Sequence, residues 1–213
     1  MVGQKHSSLL LVLALLGFGC APSGGPIKGK VLYSNCAPCH GDDGAGNAEI
    51  QVPAIAGQEA EYVATQLRNF QKKIRGGHPK DLNGLRMQPM ASTMATEEET
   101  QAVAAYVSRL TSVVPPPTVK GDARRGVQFF QVCAACHKVD GSGNPALKAP
   151  SLLNTHDWYL LAQLRNFKSG VRGANEKDLG GQQMRPMAMT LPDEQAMRDV
   201  VAYVARLARE GSR

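Results

Sequence analysis

The run Cys36-Ala37-Pro38-Cys39-His40 occurs a second time as Cys133-Ala134-Ala135-Cys136-His137. Cys-x-x-Cys-His is the attachment signature of c-type haem. Two thiols at this spacing reach the two vinyl groups on one edge of a porphyrin, and the histidine that follows is the proximal ligand of the iron. A thioredoxin-like redox pair is the alternative for a single Cys-x-x-Cys motif. Two copies that both end in histidine favour two covalently bound haem c groups.

The second half of the chain repeats the first with a constant offset of 97 residues and no gap. Residues 66–70 (Gln-Leu-Arg-Asn-Phe) are identical to residues 163–167, and Tyr106 corresponds to Tyr203. A repeat of this length indicates gene duplication and two tandem domains.

Each copy contains three segments in which apolar residues recur at helical spacing, and neither shows the alternation typical of strands. Thr96 with Glu99 forms a capping box at the start of the third helix, and Asp122 is a suitable cap for the first helix of the second copy. Gly29 and Gly126 would allow the first helix of each copy to cross the last one closely. The predicted fold class is therefore all-α.

The N-terminal segment has the character of an export signal. Lys5 precedes an apolar run at residues 9–19, which is too short to span a bilayer but fits the apolar region of a signal peptide. Cys20 follows Gly19 directly, so cleavage there would expose a candidate lipidation site. Export without lipidation and a retained anchor are the alternatives. In each case the folded part lies outside the cytoplasm, in the periplasm.

These observations divide the chain into five parts. They are a signal peptide at 1–19, a tether at 20–25, an N-terminal domain at 26–112, a proline-rich linker at 113–121 and a C-terminal domain at 122–213.

The sixth iron ligand must lie outside the two motifs. Met90 and Met187 each follow a proline, lie 50 residues past their histidine and correspond under the offset, so we predict them as the axial partners of His40 and His137. A thioether in this position raises the haem potential. Met87 and Met184, which correspond, are predicted to pack in the core or beside the ligands. Met94 and Met189 have no counterpart methionine and are predicted to pack in the core.

Two matched prolines and two unmatched histidines lie outside the motifs. Pro53 and Pro150 lie 13 residues past their histidines, and their carbonyl groups could accept the second ring N–H of each proximal ligand. His78 and His156 do not correspond under the offset, so we predict that both are solvent-exposed or loop histidines.

Four matched arginines could neutralise haem propionates, although a solvated helix face is an equal alternative. They are Arg68 with Arg165 and Arg75 with Arg172.

The net charge of +6, from 24 basic and 18 acidic side chains, does not indicate nucleic-acid binding. The basic residues are dispersed rather than clustered among aromatic residues. Two propionates on each haem would also offset most of this charge. Lys30 and Lys138 lie near the motifs and could steer an acidic partner towards them.

Together these features resemble the dihaem class I cytochromes c of the cytochrome c4 family. The resemblance includes residues 41–44 (Gly-Asp-Asp-Gly), 52–53 (Val-Pro) and 56–58 (Ala-Gly-Gln), besides both motifs and the Pro-Met pairs. Lys138 replaces the usual glycine after the second motif, and residues 153–155 (Leu-Asn-Thr) replace the Ala-Gly-Gln run. The family implies two tandem class I cytochrome c domains whose haems lie near one another.

The resemblance also implies electron transfer in the periplasm, often to a terminal oxidase. We therefore predict an electron carrier, not an enzyme, that relays single electrons between a quinol-oxidising complex or dehydrogenase and a terminal oxidase. A haem subunit fixed in a larger membrane complex is the alternative. A dihaem peroxidase is less favoured, because it needs an open iron position and both copies keep the Pro-Met pair.

Overall fold

The computed structural model describes residues 26–211, which fold as two similar helical halves. The N-terminal half contains α1 (Pro26–Tyr33), α2 (Ala37–His40), α3 (Ala60–Gln71), α4 (Leu82–Ala91) and α5 (Glu97–Val107). The C-terminal half contains α6 (Ala123–His137), a 3₁₀ turn (Pro145–Leu147), α7 (Asp157–Ser169), α8 (Leu179–Met189) and α9 (Glu194–Gly211). The predicted signal peptide, the tether and Cys20 lie outside the described residues.

The predicted all-α class is confirmed for residues 26–211, where the only strand-like pairs are two isolated antiparallel bridges. These bridges, Asn47–Val52 and Asn144–Ala149, close equivalent loops in the two halves. None of the helices in the described range has the length and apolar character needed to cross a membrane.

The leading helix differs between the halves because of one proline. In the second half α6 runs unbroken to His137, whereas the same stretch of the first half is divided into α1 and α2. Pro38 stands where the second half has Ala135, and a proline cannot donate the N–H that continues a helix. A single leading helix is therefore correct for the second half and wrong for the first.

Each half contains one more long helix than the three predicted, namely α4 or α8. Neither is predicted from the sequence, because both lack a regular apolar stripe and contain a proline, Pro89 or Pro186. Their N-termini are nevertheless well capped. Asp81 Oδ1 accepts the N–H of Gly84 at 3.1 Å, and Asp178 Oδ1 accepts that of Gly181 at 2.9 Å. These two helices carry the matched methionine pairs.

The first and last helices of each half cross without space for a side chain at one position. A Cβ atom on Gly29 would lie 2.3 Å from the carbonyl oxygen of Ala102, and one on Gly126 would lie 2.1 Å from that of Asp199. The predicted close crossing is confirmed in both halves. Each crossing closes a separate apolar core, one containing Val103 and the other Val200.

The two halves are joined by hydrogen bonds that repeat under the 97-residue offset. Gln58 Nε2 donates to the carbonyl oxygen of Ser151 at 3.1 Å, and Thr155 Oγ1 donates to that of Ala54 at 3.1 Å. Thr155 corresponds to Gln58, so the departure from the Ala-Gly-Gln run preserves a donor for the other half.

A buried cluster of two arginines and two glutamines lies at the same interface. Gln66 Oε1 accepts from Arg75 Nη1 at 2.9 Å and from Arg172 Nη2 at 3.0 Å. Gln163 Oε1 accepts from Arg172 Nη1 at 2.7 Å and from Arg75 Nη2 at 3.3 Å. The solvated-face interpretation is wrong for these two arginines, because each is buried between the halves.

The other matched pair of arginines makes surface ion pairs. Arg68 contacts Glu97, and Arg165 contacts Glu194, at partly exposed positions.

We predict that Gly126→Ala destabilises the protein by about 1–3 kcal/mol, because the new methyl group would overlap the backbone of α9. Urea denaturation of the haem-loaded protein measures the change. Gly180→Ala is the matched control, since a Cβ there meets nothing within 4 Å. Equal stability of the two variants would contradict the close crossing.

Candidate haem-binding sites

The histidine of each motif is buried at the end of its helix and oriented by a proline carbonyl. His40 Nδ1 lies 3.0 Å from the oxygen of Pro53, and His137 Nδ1 lies 2.8 Å from that of Pro150. A carbonyl oxygen can only accept, so Nδ1 must carry the hydrogen. Burial lowers the pKa of both rings, so each is neutral and keeps the Nε2 lone pair for a metal.

A glycine allows the loop after each motif to bring the proline back over the histidine. Gly46 and Gly143 have φ values of +76° and +86°, and their N–H groups donate to the carbonyl oxygens of His40 and His137. A Cβ atom on Gly46 would lie 2.5 Å from the nitrogen of Ala54. The close approach of the two backbone segments therefore requires glycine.

Each motif has one partly buried cysteine and one exposed cysteine. Cys36 and Cys133 pack beside the two apolar cores, while Cys39 and Cys136 are exposed. Burial raises the pKa of Cys36 and of Cys133 to about 11. A thioredoxin-like pair needs a thiol whose pKa is lowered, so this environment argues against that alternative.

The methionine pairs lie one helical turn apart on α4 and α8. Met87 packs against the core cluster that Cys36 also contacts, whereas Met90 is 38% exposed. On α8, Met184 and Met187 are both partly buried.

The two unmatched methionines differ in burial. Met94 is a core residue, as predicted, but Met189 is 58% exposed and the prediction that it packs in the core is wrong.

The two unmatched histidines also differ. His78 is exposed and its Nδ1 accepts the N–H of Lys80 in a loop. His156 is only 6% exposed, and its Nδ1 accepts the N–H of Ala54 at 3.0 Å. His156 lies in the loop before α7, as predicted, but it is not exposed, because its side chain enters the interface between the halves.

Several buried donors have no hydrogen-bond partner among the described residues. At the interface they include Arg75 Nε, Arg172 Nε, Gln163 Nε2 and Trp158 Nε1. A buried donor without an acceptor is costly, and the propionate groups of a haem are acceptors of the required charge. With a neutral histidine and two thiols at each motif, the residues present fit a covalently bound haem in each half.

Comparison with known proteins identifies the same family in both halves. The Cytochrome c family model matches residues 27–111 and 123–208. The structure resembles reduced recombinant cytochrome c4 from Pseudomonas stutzeri with a TM-score of 0.69 and 26% identity, over 86% of this chain and 98% of that one.

The chain is also similar in sequence to two proteins named for a dehydrogenase and for an oxidase. The thiosulfate dehydrogenase electron acceptor of Stutzerimonas stutzeri (strain A1501) is 31% identical over 182 residues, which are 80% of this chain and 79% of that protein. The cbb3-type cytochrome c oxidase subunit FixP of Bradyrhizobium diazoefficiens is 31% identical over 174 residues, 76% of this chain and 58% of that subunit. The chain therefore belongs to the cytochrome c family, as a dihaem electron-transfer protein similar to the cytochromes c4.

Proposed function

We propose that this protein relays single electrons in the periplasm between a quinol-oxidising complex or dehydrogenase and a terminal oxidase. The observation that carries the proposal is the pair of buried histidines, each oriented by a proline carbonyl, in two halves that share one interface. The names of the two relatives connect similar chains with a dehydrogenase and with an oxidase.

Each motif holds its haem through three side chains. Cys36 and Cys39 in the first half form thioether bonds, as do Cys133 and Cys136 in the second. The histidines, fixed by Pro53 and Pro150, supply the proximal nitrogen to the iron. When bound, haem iron exchanges one electron between its ferrous and ferric states.

A methionine sulfur from α4 or α8 would supply the second protein ligand to the iron. The sequence favours Met90 and Met187, and we propose them as ligands. Met87 and Met184 are the second candidates, because Met87 contacts the same core cluster as Cys36. A soft thioether stabilises ferrous iron, so either choice gives a haem of raised potential.

Arg75 and Arg172 would hold the haem propionates through their Nε donors. Their Nη atoms are engaged by Gln66 and Gln163, which orients both guanidinium groups and leaves each Nε as a donor. A fixed, buried charge offsets the negative charge of a propionate, whose burial would otherwise be costly. The same cluster joins the two halves, so it also keeps the two haem sites at a constant separation.

Redox partners approach over the short segments between the cysteines of each motif. Pro38 and Cys39 are exposed in the first half, and Ala135 and Cys136 are exposed in the second. The side chains between the cysteines are small and uncharged, so a partner surface can come close to the haem edge. Exposed Lys138 next to the second motif favours an acidic partner.

A haem subunit fixed in a larger membrane complex is the second candidate function. It is supported by the similarity to FixP, of whose length the matched region covers 58%. Its haem chemistry would be identical, and only its docking would differ.

We also propose that cleavage after Gly19 leaves Cys20 as a lipidated N-terminus that tethers the protein to the membrane. The supporting observation is the sequence of residues 1–20. Firm attachment requires more than one acyl chain.

Replacement of an axial methionine should convert one haem from low-spin to high-spin and lower its potential. We expect this for Met90→Ala and Met187→Ala, measured by absorption spectra and redox titration. Met87→Ala and Met184→Ala are the matched comparisons and should retain both low-spin spectra. The opposite pattern would assign the ligands to Met87 and Met184.

Ala135→Glu should slow electron exchange with an acidic redox partner several-fold, because like charges raise the free energy of encounter. Stopped-flow rates at increasing salt should fall for the wild type, as screening requires. Ala146→Glu, which adds the same charge in the 3₁₀ turn, should change the rate less. Rates insensitive to the substitution and to salt would favour a permanent place in a complex.

Cys20→Ser should release the protein from the membrane into the soluble periplasmic fraction. Fractionation followed by intact-mass measurement of the N-terminus tests this. A wild-type protein that is already soluble, with an unmodified N-terminus at Cys20, would contradict lipidation while leaving export in place.

A further inference from the structure

A single peptide unit separates each proximal histidine from a side chain of the opposite half. The carbonyl oxygen of Pro53 accepts from His40, and the N–H of the same peptide, on Ala54, donates to His156 Nδ1 at 3.0 Å. His156 belongs to the second half and His40 to the first. The histidine of one half is thus connected to the other half through a continuous row of hydrogen bonds.

The equivalent peptide of the second half ends on a carboxylate instead. The oxygen of Pro150 accepts from His137, and the N–H of Ser151 donates to the Glu59 carboxylate, 3.3 Å from each oxygen. Glu59 and His156 correspond under the 97-residue offset. The two copies therefore both have a hydrogen-bond acceptor at this position, but the charge of its side chain differs.

The same two residues occupy an unusual place in their helices. Glu59 is the N-cap residue of α3 and His156 that of α7, yet neither side chain caps its own helix. Both side chains reach across the interface, where Gln58 and Thr155 also hold the far carbonyl groups. The N–H of Ala54 is therefore bonded by His156, and the carbonyl oxygen of Ala54 by Thr155. In the same way, Glu59 bonds the N–H of Ser151 and Gln58 bonds its carbonyl oxygen.

We propose that Glu59 and His156 are positioning residues that give the two haem sites different potentials, each acting through the peptide beside a proximal histidine. The inference rests on the proposed ligation of iron by His40 and His137. Hydrogen bonds in a row polarise one another, and a proximal histidine that donates more strongly becomes a more basic ligand. A more basic ligand stabilises ferric iron and lowers the potential.

The charge difference determines which site is affected more. The Glu59 carboxylate accepts the N–H of Ser151 and polarises that peptide group. The oxygen of Pro150 thereby becomes a stronger hydrogen-bond acceptor for His137. His156 is neutral, because its Nδ1 accepts a hydrogen bond and burial lowers its pKa. Glu59 therefore lowers the potential of the C-terminal site, and His156 has a weaker effect on the N-terminal one.

Glu59→Gln tests the inference, since glutamine keeps an acceptor oxygen for Ser151 and removes the charge. We expect the midpoint potential of the C-terminal haem to rise while that of the N-terminal haem stays unchanged. NMR-monitored redox titration separates the two, with each haem assigned from the methionine variants described above. We also expect the Nδ1–H resonance of His137 in the reduced protein to move upfield.

Glu61→Gln is the matched control, because it removes the same charge from the exposed side of α3. It should leave both potentials and both Nδ1–H resonances unchanged. Glu59→Asp is the second variant. It keeps the charge, but the side chain is one methylene group shorter, so the carboxylate lies farther from the N–H of Ser151. It should shift the His137 resonance and the C-terminal potential in the same direction as Glu59→Gln.

Equal shifts at both haems, or an unmoved His137 resonance in both Glu59 variants, would overturn the inference. Retained low-spin spectra in these variants would then show that the proposed ligation stands without it. A wild-type protein without histidine-ligated haem would instead contradict the proposed function, and the inference with it.

Discussion

Each histidine of the two Cys-x-x-Cys-His motifs donates its Nδ1–H to the carbonyl oxygen of a proline that lies 13 residues further along the chain. This bond selects the tautomer, fixes the ring plane and leaves Nε2 free for the iron that we propose it binds. The proline must be held for the bond to last, and its following peptide is held by the opposite half. The orientation of the proximal histidine in one half therefore depends on the packing of the other half.

The interface illustrates how a duplicated domain can keep its geometry while its chemistry diverges. Arg75 and Arg172 form a nearly symmetric cluster with Gln66 and Gln163. Such a buried polar network is stable only when its members are satisfied, and the two Nε donors that remain are the ones we propose for the haem propionates. Nearby, Glu59 and His156 each accept a backbone N–H from the opposite half. Either side chain can fill this role, so the charge at the position differs between the copies.

Much of the site could be predicted from the sequence because its geometry is local. The motif spacing indicates the proximal histidine, and the constant offset identifies Pro53 and Pro150 as a pair. Gly29 and Gly126 were recognisable because the offset matches them within the first helix of each copy.

Other features depend on partners far away in the chain or on exceptions to periodicity. The helices α4 and α8 contain a proline and lack an apolar stripe, although Asp81 and Asp178 signal their caps. His156 lies next to a helix start, where a loop role is the ordinary expectation, and its partner Ala54 is 102 residues away. No local pattern encodes that contact.

Hydrogen exchange at the N–H groups of Ala54 and Ser151 tests most directly whether the two halves hold each other's proximal ligands. NMR measurements on the haem-loaded wild-type protein resolve both amides. Because each amide is bonded across the interface, we predict protection close to that of the helix cores. Exchange at the rate of an exposed loop would contradict it, since the prolines would then be held by their own domain alone.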